Sequence, residues 1–351
     1  MKAARLHEIG KFIIEDVEVP TPTGDQILLK IGASGICGSD LPRVYEIGTS
    51  THRYPLTLGH EFGGEIVSVG ENVDKSNIGK HGAIFPCIPC MKCDVCTSGN
   101  YAMCLDYDYL GSRSDGGFAE YCLIPSMWHF VEANDSVSYE SLAMVEPATV
   151  AQHALRKGKL TAGESIIIFG AGPIGIMAAR WANIFSAKKV VLVDVDLDKI
   201  NFAKERGLTC IDGTKKDFYE NALSLNDGNP YDLVIEGVGI GITLNQSINL
   251  VKTFGRIVLM GNPAKDTTID MKSHSSILRK EITLQGIWNS HYHNIPLNEW
   301  HYTVSQLESE ELVLDDLVTH AVEMDDFLEI FEKVYKKEVL SCKVLYRSDL
   351  K

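Results

Sequence analysis

Between residues 164 and 185 the hydrophobic pattern changes period once. "ESIIIFGAGPIG" (164–175) opens as an unbroken apolar run and ends in glycines. A short apolar run bounded by turn residues predicts a strand buried on both faces. "PIGIMAARWANIF" (173–185) follows, with Ile174, Ala178, Trp181, Ala182 and Phe185 on one helical face. Pro173 suits the first turn of that helix, where its missing N–H is not needed. The alternation then repeats. "KKVVLVDVD" predicts a buried strand and "DLDKINFAKERG" a helix ended by Gly207. "TCIDGT", "YDLVIEGVG", "GRIVLMGN" and "ITLQGIW" predict further strands, with helical stretches between most of them. Strands alternating with helices imply a parallel sheet in a doubly wound α/β (Rossmann) domain.

Before residue 155 the texture differs. "QILLKI", "GEIVSVG", "GAIFP" and "FAEYCLI" are short β-rich runs broken by Gly and Pro, the pattern of a β-rich domain. From residue 292 onward the pattern is mixed, with a polar helix near 298–310 and "CKVLYRS" as a closing strand. The expected division is 1–152 with 292–351 as one domain and 153–291 as the other. There is no internal repeat and no low-complexity linker.

Composition agrees with two globular domains: 351 residues, 45% apolar and 23% charged. The start, "MKAARLHEIG", lacks the apolar core of a signal peptide, and no apolar run reaches membrane-spanning length. A cytoplasmic protein without membrane partners is therefore expected. The net charge of −14 argues against nucleic-acid binding, which needs a basic face against phosphates. An anionic substrate would have to be held by local cations. In a reducing compartment clustered cysteines are metal ligands more often than disulfides, and the total of nine is odd.

Gly170, Gly172 and Gly175 form G-x-G-x-x-G between the first strand and its helix, the context in which this motif binds a dinucleotide. Gly170 allows the tight turn, Gly172 lets the pyrophosphate approach the backbone, and Gly175 lets helix and strand pack closely. The helix N-terminus at Pro173 and Ile174 favours the phosphate charge. The next strand ends at Asp194, where a carboxylate accepts both ribose hydroxyls and repels a 2′-phosphate. No Arg or Lys follows in "DVDLD", so NAD is expected over NADP.

"PCIPCMKCDVCTSGNYAMC" (86–104) holds five cysteines. Cys90, Cys93, Cys96 and Cys104 give C-x2-C-x2-C-x7-C, which suits a closed tetrahedral zinc site. Cys87, Cys90, Cys93 and Cys96 form an equally permissible even ladder, and an all-cysteine iron–sulfur cluster is chemically open. A second set is scattered: Cys37 in "GICGSD", His60 and Glu61 in "LGHEFGGEIVSVG", and Glu146 in "MVEPATVAQH". Cysteine, histidine and carboxylate with one open position make a catalytic-zinc set. Taken singly, each has a bland reading as a buried thiol, a core histidine or a surface charge.

Over essentially its full length the sequence resembles the zinc-dependent medium-chain dehydrogenase/reductase family. The resemblance rests on "GHEFGGEIVSVGENV" (59–73), "CGSD", the four-cysteine lobe and the later glycine motif, in that order. It implies a GroES-like catalytic domain beside the Rossmann domain. It also implies two zinc ions, one catalytic and one structural, and a homodimer or homotetramer. The implied structural ligands are Cys90, Cys93, Cys96 and Cys104 in a lobe at 86–106, leaving Cys87 free. The catalytic ligands implied are Cys37, His60 and Glu146, with Glu61 a direct or exchanging ligand. Glu146 where many alcohol dehydrogenases have cysteine is similar to the polyol branch. "CGSDLPR", "YPLTLGHEF" and "YDYLGSRSDGGFAEY" resemble its polyol-phosphate members.

That branch oxidises a secondary hydroxyl of a sugar alcohol or its phosphate, with hydride passing to NAD. Free polyols such as sorbitol, xylitol or arabitol, and threonine- or butanediol-type alcohols, are the alternative substrates. Ser39, two residues after Cys37, is either the first proton acceptor or a turn hydrogen bond, and Asp40 either orients His60 or caps a helix start. Pro42 stands where many relatives carry a relay histidine, leaving water or Glu61 for the onward proton route. Arg43, His52, Arg53 and Arg113 are the candidate cations for a substrate phosphate. Trp288 and Asn289 in "GIWNSHY" are candidates for the substrate side. Quinone reductases of the same fold lack the Cys37, His60 and Glu146 set, which argues against that relative.

Overall fold

The computed structural model describes residues 1–293 and 298–348. Residues 294–297 and 349–351, in the tail expected to join the first domain, lie outside the described residues. The chain divides into two compact units, Met1–Thr149 with His291–Lys351, and Val150–Ser290. The fold is the pairing that the hydrophobic pattern predicts, a β-rich unit and a doubly wound parallel sheet. Among the described residues no helix is long and apolar enough to cross a membrane.

In the β-rich unit the long strands Ile27–Gly35 and Glu61–Val69 pair antiparallel. Lys343–Arg347 flanks Ile27–Gly35 on its other side, also antiparallel. Register sets which residues come together. Gly35 lies opposite Glu61 on one neighbour and opposite Leu345 on the other. The ends of three strands, far apart in sequence, therefore meet just before Cys37. Gly35 must be bare there, because a Cβ would sit 2.5 Å from Glu61 Oε2 and 2.8 Å from Lys343 Cε.

The core beneath is built from Leu6, Ile27, Leu29, Phe62, Phe118 and Tyr346. It is closed by the helix Met324–Tyr335, whose Met324, Phe327, Ile330 and Phe331 are buried. That spacing of three and four is an ordinary amphipathic face. The sequence reading leaves this segment without an element, because "EMDDFLEIFEKVYKKE" reads there as mixed texture.

In the second unit six parallel strands run in the order Cys210–Asp212, Lys189–Asp194, Ser165–Phe169, Tyr231–Glu236, Val251–Leu259, Thr283–Gly286. Numbered along the chain, that order is 3-2-1-4-5-6, and the sheet reverses beside Ser165–Phe169. The helix Pro173–Ile184 starts at that reversal. It is buried more widely than one face: Ile176, Met177 and Ala179 are buried with Ala178, Trp181 and Ala182, while Ile174 and Phe185 are half-buried. A helix packed on a sheet and crossed by neighbours hides more than a single stripe.

Candidate functional site

The glycine loop shows why residue type matters there. A Cβ on Gly175 would lie 1.9 Å from the carbonyl oxygen of Gly170, so only glycine lets the helix sit this close to the strand. A Cβ on Gly172 would meet nothing within 4 Å, leaving open space before the helix N-terminus at Pro173. Asp194 ends the second strand and is tied to the loop. Its Oδ2 accepts the Ala171 N–H at 2.7 Å, and Oδ1 accepts the N–H groups of Val195 and Asp196 at 2.7 and 3.0 Å. Oδ1 is filled by its two donors, and Oδ2 keeps lone-pair capacity for one more. Open space at Gly172, a helix N-terminus and a fixed carboxylate together fit a dinucleotide. In the same unit Trp288 is 52% exposed and Asn289 adopts a positive φ of 53°. Trp288 is thus not a core residue.

The lobe gathers Cys90, Cys93, Cys96 and Cys104, with one sulfur from each within 4.8 Å of the others. Backbone N–H groups of Cys90 and Asp106 donate to Cys104 Sγ at 3.2 and 3.4 Å. Such donors favour thiolate. Backbone N–H groups of Leu105 and Cys96 lower the Cys93 thiol to about 6, whereas burial pushes Cys96 up to about 12. Cys87 is not in this group. It is buried, faces the Tyr101 carbonyl at 3.8 Å, and burial pushes it up to about 12. Four sulfurs on turns, fed by backbone donors, fit a tetrahedral metal.

The scattered residues converge as well. Cys37, His60 and Glu61 bring one ligand atom each within 4.8 Å of the others. Glu146, in the first turn of the helix Val145–Lys157, stands outside that group. Its Oε1 accepts the Tyr109 hydroxyl at 3.3 Å, and the Tyr109 ring lies 6.0 Å from that of His60. Glu61 Oε2 is paired with Lys343 Nζ, which also donates to the Ile36 carbonyl at 3.4 Å. Lys343 is 2% exposed. Asp40 is buried behind the cluster: Oδ2 accepts the Cys37 N–H at 3.0 Å, and Oδ1 lies 3.4 Å from His60 Nδ1. That contact is an ion-pair distance without hydrogen-bond alignment.

The electrostatics point one way. Burial works against charge on His60, yet Asp40 and Cys37 raise its pKa well above the usual value. Burial and the neighbouring Glu61 push Glu146 up to about 7, against the pull of His60. Burial, then Glu146, pushes the Tyr109 phenol far above its ordinary value. A buried surplus of thiol and carboxyl groups is what a divalent cation neutralises, so the donor set fits zinc.

Ser39 Oγ donates to Cys37 Sγ at 3.3 Å and accepts from Arg43 Nη1 at 3.0 Å. Arg43 also donates to Asp40 Oδ1 at 3.1 Å. Arg53 and Arg113 lie together beside Tyr107, whose ring is 6.2 Å from that of Tyr109. Arg53 donates to the Arg113 carbonyl at 3.3 Å and lies 3.6 Å from Asp108. The Arg113 guanidinium stacks on Tyr107 at 3.9 Å from the ring centre and donates to the Tyr107 carbonyl at 2.8 Å. His52 is exposed. Sequence reasoning missed Lys343 and Tyr109. Lys343 had no signal, since its role depends on strand register. Tyr109 had a faint one, two aromatics flanking the acid in "YDY" just past the lobe.

Known proteins resemble this chain in sequence and fold. The profile of the alcohol dehydrogenase GroES-like domain matches residues 23–135, and that of the zinc-binding dehydrogenase matches residues 173–308. Galactitol 1-phosphate 5-dehydrogenase of Escherichia coli (strain K12) is 34% identical over 304 residues, covering 86% of this chain and 87% of the relative. The chain belongs to the zinc-dependent medium-chain dehydrogenase family. The resemblance drawn from residues 59–73 and the motifs around them therefore stands. Sorbitol dehydrogenase of Bacillus subtilis (strain 168) is also 34% identical to this dehydrogenase, over 270 residues and 76% of each chain. The crystal structure of galactitol-1-phosphate dehydrogenase from Escherichia coli superposes with a TM-score of 0.91 at 31% identity, covering 99% of this chain and 100% of that one.

Proposed function

We propose that this dehydrogenase oxidises a secondary hydroxyl of a sugar alcohol phosphate, of the galactitol 1-phosphate type, to the keto-sugar phosphate with NAD as hydride acceptor. The convergence of half-buried Cys37 with buried His60 and Glu61, and Glu146 bonded to Tyr109 nearby, carries the reading. Cys37, His60 and a carboxylate from Glu61 or Glu146 would hold a catalytic zinc; Cys90, Cys93, Cys96 and Cys104 would hold a structural one. Bound there, zinc supplies the Lewis acidity that makes the substrate hydroxyl acidic near neutral pH, and NAD takes up the hydride.

The protein's own groups position and deprotonate. Ser39 Oγ donates its hydrogen to Cys37 and gives one lone pair to Arg43, which leaves one lone pair to accept a hydrogen bond from the substrate's hydroxyl; to take that proton the Ser39 hydroxyl would turn from Cys37 and release its own hydrogen to water. Asp40 holds His60 and the Cys37 backbone in place. Lys343 pairs with Glu61 and fixes the direction of its carboxylate. Gly170, Gly172, Pro173, Ile174 and Gly175 would cradle the pyrophosphate, and Asp194 would take the ribose hydroxyls and disfavour NADP. Arg53 and Arg113, adjacent to each other beside Tyr107, are the cations suited to the substrate phosphate. Trp288 and Asn289 would line the substrate side.

The name of the Escherichia coli relative supports the phosphorylated substrate. The sorbitol dehydrogenase of equal identity supports a second reading, a free polyol such as sorbitol, xylitol or arabitol. A soluble cytoplasmic homodimer or homotetramer is part of the proposal. The deciding experiment is a panel of galactitol 1-phosphate, other phosphorylated and free hexitols and pentitols, threonine and 2,3-butanediol, each with NAD and NADP, read by nicotinamide absorbance. The expected result is highest kcat/KM with a phosphorylated polyol and NAD. Preference for free sorbitol or xylitol overturns the phosphate but leaves the polyol; preference for threonine or butanediol overturns both.

A further inference from the structure

Asp40 is wholly buried, and each of its oxygens serves the metal cluster. A buried carboxylate without a partnering cation is expensive. The cation is Arg43, whose side chain is only 23% exposed. One guanidinium nitrogen, Nη1, donates both to Asp40 Oδ1 at 3.1 Å and to Ser39 Oγ at 3.0 Å. The local backbone makes this possible. Asp40–Pro42 is a single helical turn that runs into the wider turn Arg43–Ile47. Residues three and four apart then share a face, so Arg43 overlies Asp40 and Ser39 together. Beyond these two acceptors lie Cys37 Sγ, reached through the Ser39 hydroxyl, and His60 Nδ1, reached through Asp40.

We propose that Arg43 is a positioning residue of the metal centre and not a substrate-phosphate contact: its guanidinium fixes Ser39 and Asp40, and through them the two ligands Cys37 and His60. The inference rests on the reading of Cys37 and His60 as metal ligands. It changes how the "CGSDLPR" segment is understood. With proline at 42, the residue that meets the hydroxyl of Ser39 is the arginine one place later. A guanidinium is permanently charged and neither takes up nor releases a proton. Its part is to hold Ser39 Oγ with one lone pair turned away from Arg43 and free for the substrate.

The test compares Arg43→Met, Arg43→Lys and Arg113→Met in the full-length zinc-loaded protein. Turnover is measured with galactitol 1-phosphate and with sorbitol. Metal loss is followed with a chromophoric chelator, reading the release phase that Cys37→Ser abolishes. Arg43→Met is expected to lower kcat about tenfold or more with both substrates, to leave KM within about twofold, and to speed that release phase about tenfold. Arg43→Lys should recover part of both losses, since an ammonium reaches one acceptor but lacks the planar fork. Arg113→Met should instead raise KM for the phosphorylated substrate alone. A rise in KM for galactitol 1-phosphate alone in Arg43→Met, with unchanged metal release, makes Arg43 a phosphate ligand and overturns the proposal. If wild type oxidises neither substrate, the substrate reading fails, and the release phase still decides the role of Arg43. If Arg43→Met does not fold, Arg43→Lys decides: faster release supports the proposal and wild-type release overturns it.

Discussion

The molecule carries two clusters of metal-ligand type, and they are built in opposite ways. The lobe takes Cys90, Cys93, Cys96 and Cys104 from one short stretch, held by its own turns and backbone N–H groups. The other cluster takes Cys37 from the end of one strand, His60 and Glu61 from the start of another, and the Lys343 counter-charge from a third. A contiguous site needs only local chain geometry. An assembled one needs the sheet register to be right, and each ligand has an outside partner: Ser39 for Cys37, Asp40 for His60, Lys343 for Glu61, Tyr109 for Glu146. The lesson is a division of labour. The local site can stabilise without being tuned; the assembled site can be tuned because each ligand is held separately.

The sharpest way to break this contrast is to remove one sulfur from each cluster. Cys37→Ser should abolish turnover while leaving NAD affinity unchanged, as checked by nicotinamide fluorescence titration. Cys104→Ser should remove one zinc per chain by metal analysis and lower the melting temperature, since metal binding at a structural site is folding free energy. Near-normal turnover in Cys37→Ser would erase the distinction. Next in size, Lys343→Met strands the Glu61 carboxylate in a buried pocket and should cost about 3–5 kcal/mol in urea unfolding.

Acid sharpens the comparison further. His129 is 4% exposed and next to Trp128, which packs on Tyr101 of the lobe. Burial lowers its pKa from 6.5 to about 4. The folded state therefore holds it neutral, whereas the unfolded chain protonates at higher pH. Its full contribution is present above about pH 6.5 and is lost as pH falls through about 4, at most about 3 kcal/mol. Substituting His129→Phe should flatten unfolding free energy across that window. Smallest of all for metal binding, Cys87→Ser should keep full zinc content by metal analysis.

Legibility followed the same divide. The lobe, the glycine loop and the Rossmann alternation were readable because each is a local pattern whose spacing is its geometry. Cys37, His60 and Glu146 were not readable from spacing at all; they became legible only through a family resemblance. Glu61 was left between two roles, and the structure groups it with Cys37 and His60 while Glu146 stands aside on Tyr109. Arg43 read as one of four candidate phosphate cations until its two acceptors were seen. The helix Met324–Tyr335 went unread because its four buried residues sit among acids and lysines that hide the stripe.

The link between Lys343 and Glu61 also sets an order of events during synthesis. The two residues are 282 positions apart. At the usual pace of translation the ribosome needs roughly 15 to 55 s to travel from one to the other. Throughout that interval Gly35, Cys37, His60 and Glu61 already exist, and the acidic pocket has no lysine to balance it. The whole parallel-sheet unit is made in the meantime, since Val150–Ser290 lies between them in the sequence. The cluster of Cys37, His60 and Glu61 is thus among the last parts of the newborn chain to become electrically complete.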